Sequence, residues 1–110
     1  MISRMQLRRL ALRTSRAPEL RPVLQDALLE AYPAAFESAI ASVERYKARN
    51  PDDHYLVLFD VSSITRPHVL ADQRFAIIVA SGQTAPEVAR LYSRSLGRPL
   101  VVVYVAQGPR

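Results

Sequence analysis

The last third of the chain contains a segment with few structural options: Leu100-Val101-Val102-Val103-Tyr104-Val105-Ala106 is apolar or aromatic at every position. Four valines in seven residues favour an extended backbone, because their branched side chains pack well on a pleated surface. In such a strand Leu100, Val102 and Tyr104 face one way and Val101, Val103 and Val105 the other. Both faces then have to be covered, which predicts a place in the middle of a sheet or against a second subunit. Gly97-Arg98-Pro99 marks its entry as a turn. Two further segments have the same character. Residues 55–61 follow the turn-forming Asn50-Pro51-Asp52-Asp53, and residues 74–80 precede Ser81-Gly82.

Between the last two strands the sequence specifies a helix. Thr84-Ala85-Pro86-Glu87 combines an N-cap threonine, a glutamate three residues on, and proline in the first turn, where its missing N–H costs nothing. Val88, Leu91, Tyr92 and Leu96 form an apolar stripe, and Gly97 ends it. Strand, helix and strand in that order predict a parallel crossover. A longer helical region precedes the first strand. Val23, Leu24, Ala27, Leu28 and Ala31 make one apolar face, Phe36, Ile40, Val43 and Tyr46 a second, and Pro33 predicts a kink or break between them.

Residues 5–13 fit neither period cleanly. One internal comparison favours a strand: Ala17-Pro18-Glu19-Leu20 echoes Ala85-Pro86-Glu87-Val88, a register that sets Leu7 over Phe75, Leu10 over Ile78, Val23 over Leu91 and Leu28 over Leu96. The resulting expectation is a single α+β domain over residues 1–110, a two-layer sandwich of ferredoxin-like order β-α(α)-β-β-α-β with a three- or four-stranded mixed sheet. Its helices would share one face. The alternative starts with a helix and has three strands. In a two-layer fold either Leu56 and Leu58 or Tyr55, Val57 and Phe59 would point away from the helices, and such an apolar face predicts a homo-oligomer.

Charge is distributed unevenly. Residues 1–16 hold Arg4, Arg8, Arg9, Arg13 and Arg16 with no acid, while the remaining 94 carry ten cations and ten anions, so this basic N-terminal element accounts for the whole net charge of +5. A local cationic segment on a neutral body suits a polyanion, DNA or RNA first among them. As a helix it would align Arg9, Arg13 and Arg16; as an edge strand its charges would instead discourage edge pairing. A start at Met5 would remove Arg4 and leave the other four. Fourteen arginines against a lone Lys47, with fifteen alanines, also fit a GC-rich codon bias. Arg90 and Arg94, with Arg98 beyond them, line the outward side of the last helix and would widen the basic surface.

Other chemistry is less well supported. Zero cysteines exclude disulfides, thiolate metal sites and Cys nucleophiles. His54 and His68 stand at no recognised metal spacing, so neither metal nor cofactor is expected. No apolar run approaches the ~20 residues that span a bilayer, and no signal segment follows the basic start, which reads as a cytoplasmic protein without membrane contact. The aromatic platform of an RNA-recognition motif is missing. Ser81-Gly82-Gln83-Thr84 lacks the glycines of a nucleotide fingerprint and the lysine of a P-loop. The polar connection 60–72 is longer than a hairpin needs. It offers Asp60, Ser62, Ser63, Arg66, His68 and Asp72 as a loop site, with a hydrolase using Ser62 or Ser63, His68 and an aspartate as one alternative. A protein-interaction module is the other. The first expectation is a non-enzymatic oligomeric domain that contacts an anionic macromolecule through its Arg-rich start.

Overall fold

The first helix begins where Ser3 and Gln6 exchange hydrogen bonds. The Gln6 N–H donates to Ser3 Oγ at 3.1 Å and the Ser3 N–H to Gln6 Oε1 at 2.8 Å, so two amides without helical partners are satisfied. The computed structural model, which describes residues 1–66, 73–80 and 84–106, thus has a helix where a strand was expected. This is α1, Arg4–Thr14, and it buries Leu7, Ala11 and Thr14, one helical stripe. Thr14 tolerates burial because its hydroxyl donates to the Leu10 carbonyl at 2.8 Å. The internal echo therefore does not extend to geometry, since Leu7 is helical and Phe75 lies in a strand.

A short 3₁₀ turn, Pro18–Leu20, leads into α2, Arg21–Ala31, and then α3, Pro33–Arg49. The break falls at Tyr32, whose φ of −136° and ψ of 60° lie outside the helical region that a following proline disfavours. After β1, Tyr55–Asp60, a second 3₁₀ turn, Val61–Thr65, precedes β2, Phe75–Val79. Helix α4, Ala85–Leu96, carries the expected capping box between Thr84 and Glu87 and stops at Gly97, whose φ of +64° lies in the left-handed region that glycine tolerates best. The last strand is β3, Leu100–Ala106.

The protein is α+β, with a three-stranded antiparallel sheet in the order β2-β1-β3 packed against helices. Both outer strands are antiparallel to β1, so β2 and β3 run the same way without touching, and the connection through α4 passes across β1. The middle strand is therefore β1, and β3 is an edge strand rather than the central one its sequence suggests. Without a strand at the N-terminus, neither the mixed sheet nor the expected placing of the first and third of four strands is formed among the described residues.

Tyr55, Val57 and Phe59 face the core made with α1, α2 and α3, whereas Leu56 and Leu58 face a second, smaller core with Val88, Leu100 and Val102. Helices consequently lie on both faces. The first core holds the aromatic contacts: Phe36 stacks on Phe75 at 5.2 Å and Phe59 meets Phe75 at 5.3 Å. Each fully buried ring contributes about 2–3 kcal/mol of burial energy. On β3, double coverage is supplied by helices on either side. Its free edge is partly closed too: Gln25 Nε2 donates to the Val103 carbonyl at 2.7 Å, and Ser93 Oγ accepts from the Leu100 N–H at 3.0 Å.

Tyr104 ties β3 to α3 by donating to Glu44 Oε1 at 2.7 Å. That hydrogen bond to a carboxylate, with partial burial and the adjacent negative charge, raises the phenol above its ordinary 10.0. A phenol held protonated in this way stabilises the fold below its unfolded-state value and loses that contribution as pH climbs through the folded value. Replacing Glu44 by Gln should therefore bring Tyr104 ionisation back toward 10.0, read as the alkaline absorbance change that Tyr104→Phe removes.

Candidate functional site

Because Leu7, Ala11 and Thr14 turn inward, α1 presents its arginines to solvent. Arg9 and Arg13 fall on the side opposite that stripe, Arg4 and Arg8 on a flank, and Arg16 two residues past the helix end. All five are exposed. Among the described residues no carboxylate lies within ion-pair distance of any of them; the ion pairs formed are Met1 with Glu30 and Asp60 with Arg66 and Arg98. Arg9 makes one local contact, from Nη2 to Met5 Sδ at 3.4 Å.

The C-terminal turn of α1 also forms one wall of a groove of about 550 Å³. The start of α2 and one flank of α4 form the other walls, and the first residues of β3 the floor. Leu12, Pro18, Pro86, Ala89, Pro99 and residues 100–102 make it largely apolar, while Thr14, Ser15 and Ser93 add hydroxyls. Among the described residues its charged lining is Arg21, Arg90 and Arg94, with no acid. The α4 flank that carries Arg90 and Arg94 thus meets α1 across this groove.

Arg21 was not singled out in the sequence. Its Nε is buried without a hydrogen-bond partner among the described residues, and desolvation lowers its pKa. It also sits in the first turn of α2, at the positive end of the helix dipole, where a cation is disfavoured. Pro22 in the first turn marked that helix start, so a cation in the unfavourable position was the available signal.

Asp60, Ser62 and Arg66 of the polar connection do come together. The buried Asp60 carboxylate accepts from the Ser62 N–H at 3.0 Å and the Ser62 hydroxyl at 2.6 Å, and it pairs with Arg66 at 2.7 Å and Arg98 at 3.6 Å. Ser63 is turned into the core, where its hydroxyl donates to the Asp60 carbonyl at 2.7 Å. His68 and Asp72 lie outside the described residues, as do Ser81, Gly82 and Gln83. The cluster caps the 3₁₀ turn and joins the end of β1 to the turn before β3. At the start of α4, the Glu87 N–H donates to Thr84 Oγ1 and the Thr84 N–H to Glu87 Oε2, so two amides there are already engaged. Among the described residues no group of three or more His, Cys, Asp or Glu could hold a metal ion, and no helix is long and apolar enough to cross a membrane.

Removing the Asp60 carboxylate would leave two cations facing a buried turn. We expect Asp60→Ala to cost about 2 kcal/mol in urea unfolding, less than for a fully buried pair because both arginines are partly solvated, with Asp60→Asn milder. Unchanged stability in both variants would mean that the cluster is not a staple.

Comparison with known proteins yields no match to a family model, a curated protein or a solved structure, so the functional argument rests on this geometry.

Proposed function

We propose that the chain is a small non-enzymatic binding domain of the cytoplasm that holds the phosphate backbone of DNA or RNA through α1, with Arg90 and Arg94 extending the contact. The observation carrying this reading is that five exposed guanidiniums, four on α1 and Arg16 just past its end, have no carboxylate of the described residues in reach. Cations already paired within the fold would have to give up those partners to bind phosphate; unpaired ones displace only counterions. A different use for the charges, softening an edge strand, does not apply to a helix. Guanidiniums without base-reading partners give affinity rather than sequence preference.

A second observation favours self-association. Helix α4 is strongly two-sided in sequence, yet Val88 is its one fully buried residue, and Leu91 and Leu96 are 52% and 55% exposed. By helical spacing Leu91 lies on the flank away from the groove. We infer that a second copy of the chain covers this flank, leaving the basic surface open.

Arg8→Ala, Arg9→Ala and Arg13→Ala together should weaken binding to mixed-sequence DNA and shorten retention on heparin. The slope of log affinity against log salt should fall by about 2–3 for duplex DNA. Retention identical to that of the parent protein would refute the contact. In light scattering at micromolar concentration the chain should show a dimeric mass, and Leu91→Glu with Leu96→Glu a monomeric one; a monomeric parent would exclude the oligomer.

A further inference from the structure

We propose that the groove between α1, α2 and α4 is a discrete site for a small organic anion, a phosphate or carboxylate carried on a compact apolar body. The site shares Arg90 and Arg94 with the margin of the proposed polyanion contact and adds Arg21, which that contact does not use. Its volume of about 550 Å³ lies within the range of small-molecule sites, roughly 300–1,000 Å³.

Two properties of the lining define the occupant. The first is charge: three guanidiniums border the groove and no acid does. Arg21 is the most telling of the three, because its Nε is withdrawn from solvent without a partner among the described residues and its charge stands beside the amides of a helix start. An anion in the groove would pair with the Arg21 guanidinium and so offset both the desolvation of its charge and its place at the positive end of the helix. The second property is the apolar floor and walls. Leu12, Ala89 and residues 100–102 offer no donors from their side chains, and Pro18, Pro86 and Pro99 hold the walls in restricted conformations, so little ordering is needed on binding. Inorganic phosphate alone would leave this surface empty. No aromatic ring lines the groove, so the body is held by shape and dispersion rather than stacking.

An extended peptide added to β3 fits less well. Gln25 already occupies the Val103 carbonyl and Ser93 the Leu100 N–H, which interrupts the row of backbone groups that an incoming strand needs.

The test is calorimetric titration of the full chain with 1-naphthyl phosphate and 1-naphthoate, with inorganic phosphate and 1-naphthol supplying head and body separately. At least one of the two combined ligands should bind tenfold or more tightly than either part, and the pair distinguishes phosphate from carboxylate. Arg21→Gln should weaken that ligand at least tenfold with an unchanged far-ultraviolet spectrum. If Arg21→Gln fails to fold, the exposed Arg94→Gln decides, with an expected loss of threefold or more. Amide shifts on titration should centre on Thr14, Ala89 and Val101. The Arg8, Arg9 and Arg13 triple alanine variant should bind the ligand as the parent does, which separates this site from the nucleic-acid contact. Absence of binding by both combined ligands, equal binding of 1-naphthol, or parental affinity in the folded arginine variants would overturn the proposal.

Discussion

Every residue of β1 from Tyr55 to Asp60 is buried, and the rest of the architecture follows from having to cover that strand on both sides. Its alternation sends Tyr55, Val57 and Phe59 to one face and Leu56 and Leu58 to the other. Helices on one face could satisfy only half of these. α1, α2 and α3 cover the aromatic side, and α4, reached by passing across β1, covers the leucine side with Ala85, Val88 and Ala89. Small residues at two of those three positions let α4 approach β3 closely. Placed over an edge strand, one flank of α4 faces α1 and the start of α2 across the strand's open side, and the groove is the space left between them.

Charge is used in two different ways around this frame. At the end of β1 the fold employs it for cohesion: Asp60 holds two guanidiniums and a turn. On α1 and in the groove it does not. The four arginines of α1 and Arg16 after it have no ion-pair partners among the described residues, and Arg21 combines desolvation with an unfavourable dipole position. Groups that oppose local stability in this way are candidates for function, because a sequence optimised for stability alone has no reason to retain them.

What the sequence revealed was local. The capping box of Thr84 and Glu87, the stop at Gly97, the break before Pro33 and the three strands each depend on a few neighbouring residues, and each is found. Another box of the same kind, Ser3 with Gln6, went unread while the echo of residues 17–20 in 85–88 favoured a strand; its four residues state the outcome for α1 better than the echo did. Strand order was not legible. A fully apolar strand reports that both its faces are covered, not whether strands or helices lie beyond its edges, and β3 meets the requirement at the border of the sheet. The site was half legible for the same reason. Arg90 and Arg94 stood out on the exposed side of a well-marked helix, whereas Arg21 acquires its significance from a cavity assembled by segments about 70 residues apart.

Helix α1 links these levels. Its inward stripe, Leu7, Ala11 and Thr14, fastens it to the core, and that attachment fixes where its arginines point and where its last turn forms the groove wall. Had these residues been an edge strand, alternation would have divided the arginines between two faces. Helical spacing instead collects Arg9 and Arg13 on the side opposite the anchor, so anchoring and display are one geometric consequence of period 3.6. Polyanion binding and a groove ligand are then compatible in a chain of 110 residues, because the outer face of α1 serves the one and its C-terminal turn, with Arg21, the other, while Arg90 and Arg94 of α4 lie where the two meet.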